Sequence, residues 1–144
     1  MFTKALVATL ITGTALVSAC TASPQNSPVQ QPVVQQVFDE QTNVPGKSLV
    51  SVRVNYPPGT KSVAHHHAKS AFIMAYVISG AIRSQVEGQP ERIFHAGQTW
   101  KEDPGAHHVV SENASATEPA ELLAVFLVDT GDKVLTVEDA SSGH

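Results

Sequence analysis

The chain has 144 residues, of which 42% are hydrophobic and 15% charged, with 9 Lys and Arg against 13 Asp and Glu. That length suits one domain with a real core and is short for two ordinary domains plus a leader, and the composition excludes a chain that is disordered or fibrous over most of its length. An acid excess without a Lys/Arg cluster offers no electrostatic footprint for a phosphate backbone, which argues against nucleic acid as a partner.

In chain order, residues 1–19 read as an export signal: Lys4 gives a short positive start, Ala5 to Val17 is apolar and small, and Ser18-Ala19 are cleavage-type residues. A spanning helix needs about 20 consecutive apolar residues, more than this stretch provides. Lys4 is its one charge, so its removal takes the net charge from -4 to -5. The sole cysteine, Cys20, follows Val17-Ser18-Ala19, and the segment resembles the lipobox of bacterial lipoproteins. The resemblance implies an acylated Cys20 that holds the mature chain on a membrane. Thr21, where an inner-membrane retention signal usually has Asp, implies sorting to the outer membrane. Ordinary cleavage after Ala19, leaving a free thiol, is the alternative. Residues 20–36 are rich in Gln, Pro and Ser, a composition that cannot bury a core and reads as a tether.

The folded domain is expected over residues 37–144. Ser48 to Tyr56 alternates Val50, Val52, Val54 and Tyr56 with Ser51, Arg53 and Asn55, the period of a half-buried strand. Further strands are predicted at Ser62 to His67, Phe72 to Ser79, Ala81 to Val86, Glu91 to His95, His107 to Ser111 and Leu122 to Asp129. Turn residues at Pro57-Pro58-Gly59, Ser79-Gly80, Gly88-Gln89-Pro90, Ala96-Gly97 and Asp103-Pro104-Gly105 separate these runs and suggest antiparallel hairpins. No segment has the pattern of a long amphipathic helix. The sum is an all-β chain, a double-sheet jelly roll or small barrel with a mouth for a ligand. Phe72, Met74, Tyr76, Ile78, Trp100, Val110 and Phe126 are expected in its core or at its mouth, and either Arg83 with Gln85 or Ile82 with Ser84 faces the cavity.

His65-His66-His67 carries the strongest chemical signal. On a strand His65 and His67 converge on one face while His66 points away, so two imidazoles can share a metal; a polar surface strand is the competing reading. His95 reads as a loop residue and His144 as part of a terminus.

The spacing resembles the first motif of the cupin superfamily: Gly59, five residues, His65, one residue, His67, five residues, Ile73, six residues, Gly80. The segment from Gly97 to His108, with its Pro104-Gly105 turn, resembles the second motif. The resemblance spans about residues 48 to 129 and implies a cupin-type double-stranded β-helix with His65, His67 and His108 as metal ligands. The run from Pro104 to Asp129 is also similar to a subgroup described as quercetin-dioxygenase-like. Two departures stand out. Asp103 replaces the first Pro of the second motif, and Ile73 stands where the family has a metal-binding Glu, with no register shift restoring it.

Three histidines can hold Zn with one open position or Fe(II) with more than one. Mn and Ni also remain open as the divalent cofactor. Glu102 is the candidate for a compensating carboxylate and the one candidate general base, with an ordinary solvated acid at a hairpin end as the competing reading. A two-residue Pro104-Gly105 turn would set it opposite His107, and a longer loop beside His108. The expected function is an exported metal-binding cupin acting on a small organic molecule as a dioxygenase, isomerase or lyase. The alternative is an envelope lipoprotein that binds a metal or small ligand without turnover. The family resemblance makes a homodimer the expected assembly.

Overall fold

The computed structural model describes residues 30–140. The expected export signal, Cys20, the start of the tether and His144 lie outside the described residues. Ten strands follow in order: β1 (Val33–Gln41), β2 (Lys47–Tyr56), β3 (His65–His67), β4 (Phe72–Ser79), β5 (Ala81–Val86), β6 (Arg92–His95), β7 (Thr99–Glu102), β8 (His107–Asn113), β9 (Ala120–Asp129) and β10 (Thr136–Glu138). No helix occurs among the described residues. Two five-stranded sheets, ordered β1-β2-β9-β4-β7 and β10-β3-β8-β5-β6, face one another. All strand pairings are antiparallel. This is the jelly-roll barrel that the sequence predicts.

The two inner faces differ in chemistry. Alternation along β2, β4 and β9 sends Val50, Val52, Val54, Ile73, Ala75, Val77, Leu122, Ala124 and Phe126 inward, making the first sheet the apolar wall. The second sheet contributes Ile82 and Phe94 but also the buried His67, Ser84, His108 and Ser111. The histidines thus face a wall that is hydrocarbon except for Tyr56 on β2 and Glu102 on β7.

Three expectations are corrected. Phe72, Met74, Tyr76 and Ile78 point outward, because the partners that fill the core from β4 are Ile73, Ala75 and Val77. β7 and β8 form no hairpin: β7 pairs with β4 in one sheet, and β8 with β3 and β5 in the other, so Asp103–Ala106 crosses between sheets. β1 begins at Val33, inside the stretch expected to be tether, and pairs with β2 as an exposed edge strand.

Two local features set the geometry. Gly80, between β4 and β5, has φ of 70°, and a Cβ there would lie 2.6 Å from the Pro119 carbonyl oxygen. Only glycine combines that backbone with so close a crossing. In the β5–β8 ladder Gln85 opposes Val110 and Val86 opposes His108, so Val109 is an extra, bulged residue. The bulge breaks the two-residue period and lets His108 and Ser111, three positions apart, both point inward.

Candidate metal centre

β3 and β8 pair with His65 opposite His108 and His66 opposite His107. Cross-strand partners share a face, so His65, His67 and His108 come together inside the barrel. One ligand atom from each lies within 4.8 Å of the others. The ring centroids are 4.8 Å apart for His65 and His67, 5.3 Å for His65 and His108, and 6.0 Å for His67 and His108.

Each imidazole is oriented by a second contact. His65 Nδ1 lies 2.7 Å from the Val63 carbonyl and His67 Nδ1 3.4 Å from the Leu135 carbonyl. A carbonyl only accepts, so both Nδ1 atoms donate and both Nε2 atoms carry the free lone pair. His108 turns the other way: its Nε2 meets Ser84 Oγ at 2.8 Å while its Nδ1 is 3.3 Å from Glu102 Oε1. Burial disfavours the charged imidazolium and takes His108 down to about 4; burial lowers His65 as well. Neutral imidazoles are the form in which histidine ligates a metal.

Glu102 lies against two of these imidazoles, brought there by a packing the sequence did not reveal. It stands directly across the β4–β7 ladder from Ile73, in a cross-strand row with Val50 and Phe126. A carboxylate thus reaches the interior from the adjacent strand, on the face that Ile73 occupies. In that row an ionised carboxylate is costly unless it is partnered. Its Oε1 accepts from Trp100 Nε1 at 3.0 Å, and its Oε2 lies 3.0 Å from His67 Nε2. Burial works to raise the Glu102 carboxyl, but His67 and His108 beside it more than offset this and hold it below the usual carboxylate range.

The His67–Glu102 contact tests whether a metal fits. Both atoms are buried, and despite their 3.0 Å separation neither has a hydrogen-bond partner of acceptable geometry. With Nδ1 donating to Leu135, the Nε2 of a neutral His67 is an acceptor set against Glu102 Oε2, so the contact calls for a proton on Nε2 or a cation beside the pair. Three imidazoles with converging ligand atoms, and the Glu102 carboxylate against two of them, have the donor chemistry of a divalent transition ion site.

The centre lies in a cavity of about 750 Å³, walled by Val52, Val54, Ile73, Ala75, Leu122 and Phe126. Tyr56, Ser62 and Ser111 also line it, and the Tyr56 hydroxyl hydrogen-bonds Ser62 Oγ at 2.9 Å and Ser111 Oγ at 2.8 Å. Ser111 and Tyr56 were not singled out as site residues from sequence, and of the two pairs weighed on β5 it is Ile82 with Ser84 that turns inward. Alternation marks Tyr56 and Ser84 as one-face residues without showing that their face is the cavity. His107 lies on the opposite side of β8, and His95 is an exposed strand-end residue.

The Cupin_2 family, described as Cupin domain, matches residues 52–126, just over half of the 144 residues. The chain belongs to the cupin family. Among solved structures it is similar to the DMSP lyase DddQ from Ruegeria pomeroyi, with 20% identity and a TM-score of 0.55, covering 67% of this chain and 45% of that one. It is similar to an uncharacterised conserved protein with a double-stranded beta-helix domain from Klebsiella pneumoniae, at 20% identity and a TM-score of 0.59, covering 82% and 90%. A third is a recombinant oxalate oxidase in complex with glycolate, at 22% identity and a TM-score of 0.54, covering 73% and 54%. The chain spans under half the length of the two DMSP lyases it matches. No curated protein matches it.

Proposed function

We propose that this chain is an exported, metal-dependent cupin that holds one divalent transition ion at His65, His67, His108 and Glu102 and acts on a small organic molecule in the cavity. The observation that carries this reading is the buried, unpartnered meeting of His67 Nε2 and Glu102 Oε2, 3.0 Å apart. When bound, the ion would supply Lewis acidity or redox chemistry to an oxygen-bearing ligand. Glu102 offsets the ion's charge. Its depressed carboxyl suits a ligand better than a general base, which works best near the operating pH. The Val63 and Leu135 carbonyls and Ser84 fix the imidazoles. Tyr56, held by Ser62 and Ser111, can position a polar group of the ligand, while the apolar wall excludes water. The subgroup resemblance favours oxidation by dioxygen, with an isomerase or lyase reaction as the other chemistry of such a site. Solved neighbours named for DMSP and oxalate are in keeping with a small substrate.

Elemental analysis of the untagged chain, purified without chelator, tests the reading. One transition metal per chain is expected, lost in His65→Ala and His108→Ala and weakened by at least about tenfold in Glu102→Gln. Metal content indifferent to all three would overturn it. Export and acylation at Cys20 belong to the same proposal, and fatty-acid labelling abolished by Cys20→Ala is the expected result. The outward row Phe72, Met74, Tyr76 and Ile78 supports a homodimer, which sedimentation would report.

A binding module without turnover is the second reading. One observation favours it: among the described residues lining the cavity, the titratable side chains beyond the four proposed ligands are Tyr56, Lys133 and Glu138. Burial pushes the Tyr56 hydroxyl up, away from working pH. Saturated metal without oxygen uptake or conversion across a panel of small organic acids and phenols would select this reading.

A further inference from the structure

The two-residue period that gathers His65 and His108 inside the barrel also gathers His66 and His107 outside it, and a third residue joins them there. His66 and His107 are direct cross-strand partners whose rings stack at 4.1 Å with 13° between planes. Over them lies Asp139, just past β10. His107 Nε2 is 2.9 Å from Asp139 Oδ2, and His66 Nε2 is 3.9 Å from Asp139 Oδ1, so the two rings face different oxygens of one carboxylate. Ligand atoms of the three residues lie within 4.8 Å of one another.

Two further contacts organise the cluster. The Asp139 amide donates to the Ala64 carbonyl at 2.8 Å, so the β10–β3 pairing fixes where the carboxylate sits. On the far side of the His107 ring, Nδ1 faces Glu87 Oε2 at 3.5 Å. The Asp139 carboxylate can only accept, so His107 Nε2 donates to it, and a metal entering there displaces that proton while Glu87 faces the ring's remaining nitrogen. At 3.9 Å, His66 Nε2 is too far from Asp139 for a hydrogen bond, so the carboxylate satisfies only one of the two rings.

We propose that His66, His107 and Asp139 form a second metal site on the outer face of the β3–β8 pair, oriented by Glu87 and selective for borderline ions such as Zn²⁺ or Cu²⁺. Two imidazoles and one carboxylate leave a fourth position for water, the donor count of an open zinc site. The site is independent of the reading of the barrel interior. It is reached from solvent, since the His66 side chain is 54% exposed, so it exchanges metal without traffic through the cavity.

Titration of the metal-free full chain with Zn²⁺ by calorimetry and equilibrium dialysis tests the proposal. His66→Ala should bind one equivalent fewer than the wild type, one against two when the interior site also fills, with an unchanged melting temperature in chelator. Asp139→Asn should weaken one class of site by at least about tenfold and leave the other unchanged. In a His65→Ala/His108→Ala background, one equivalent should remain and disappear when His66→Ala is added. If that background does not fold, the wild type and the two surface variants still decide. A stoichiometry that neither His66→Ala nor Asp139→Asn alters would overturn the second site.

Discussion

His108 is a basic side chain kept neutral by its surroundings, and this has a pH consequence. In the unfolded chain it takes a proton below about pH 6.5, whereas in the folded protein burial delays this to about 4. Between those values the unfolded state binds more protons, so stability falls as pH is lowered through the window and this group adds no loss below it. The effect is on the order of 3 kcal/mol across the window. Urea midpoints of the metal-free protein from pH 7 to pH 4 should show it, and His108→Gln should flatten that part of the profile. Glu102 acts further down. Its depressed carboxyl contributes stability above the normal carboxylate value that is lost as pH falls through its folded value.

At the scale of elements, the register between β4 and β7 decides which residue faces the histidines from that sheet. Because Ile73 and Glu102 are opposed on the inner face, a carboxylate can in principle be moved from one to the other. Glu102→Ile should lower metal affinity by at least about tenfold. Adding Ile73→Glu should restore it, which dialysis against a metal buffer would measure. Gly80→Ala should cost about 1–3 kcal/mol from its backbone conformation alone, more with the clash against Pro119, and lower the melting temperature without changing metal stoichiometry. The sequence exposes much of this level and hides a specific part. β4 and β5 coincide with their expected spans, because alternation and Gly80 mark both ends. β1, β7 and β10 were not anticipated: β1 lies in a Gln-rich stretch with little burial, and β7 and β10 are too short for a period to show. Counting back by twos from the inward Ser111 would have selected His107, and it is the bulge at Val109, invisible to any count of alternation, that turns His108 inward.

For the whole molecule, the histidines of the cluster were legible from spacing and Glu102 was a candidate, but which histidines it meets needed the packing of two sheets, since β7 and β8 do not pair. A site built from both sheets also links ligand binding to the stability of the whole barrel. Metal at 100 times its dissociation constant should add about 2.7 kcal/mol. That raises the melting temperature by roughly 10 °C, and chelator should reverse it. The same connectivity gives the short C-terminal strand a disproportionate influence. From one side of β10 the Leu135 carbonyl steadies His67, and from the other Asp139 meets His107. Residues 133–140 sit at a sheet edge, open to a protease, so trimming the tail there is a single cut with two effects. If both proposed sites hold metal, a chain ending at residue 132 should keep its barrel and bind more weakly at each, so a short edge strand would set the grip on two opposite faces.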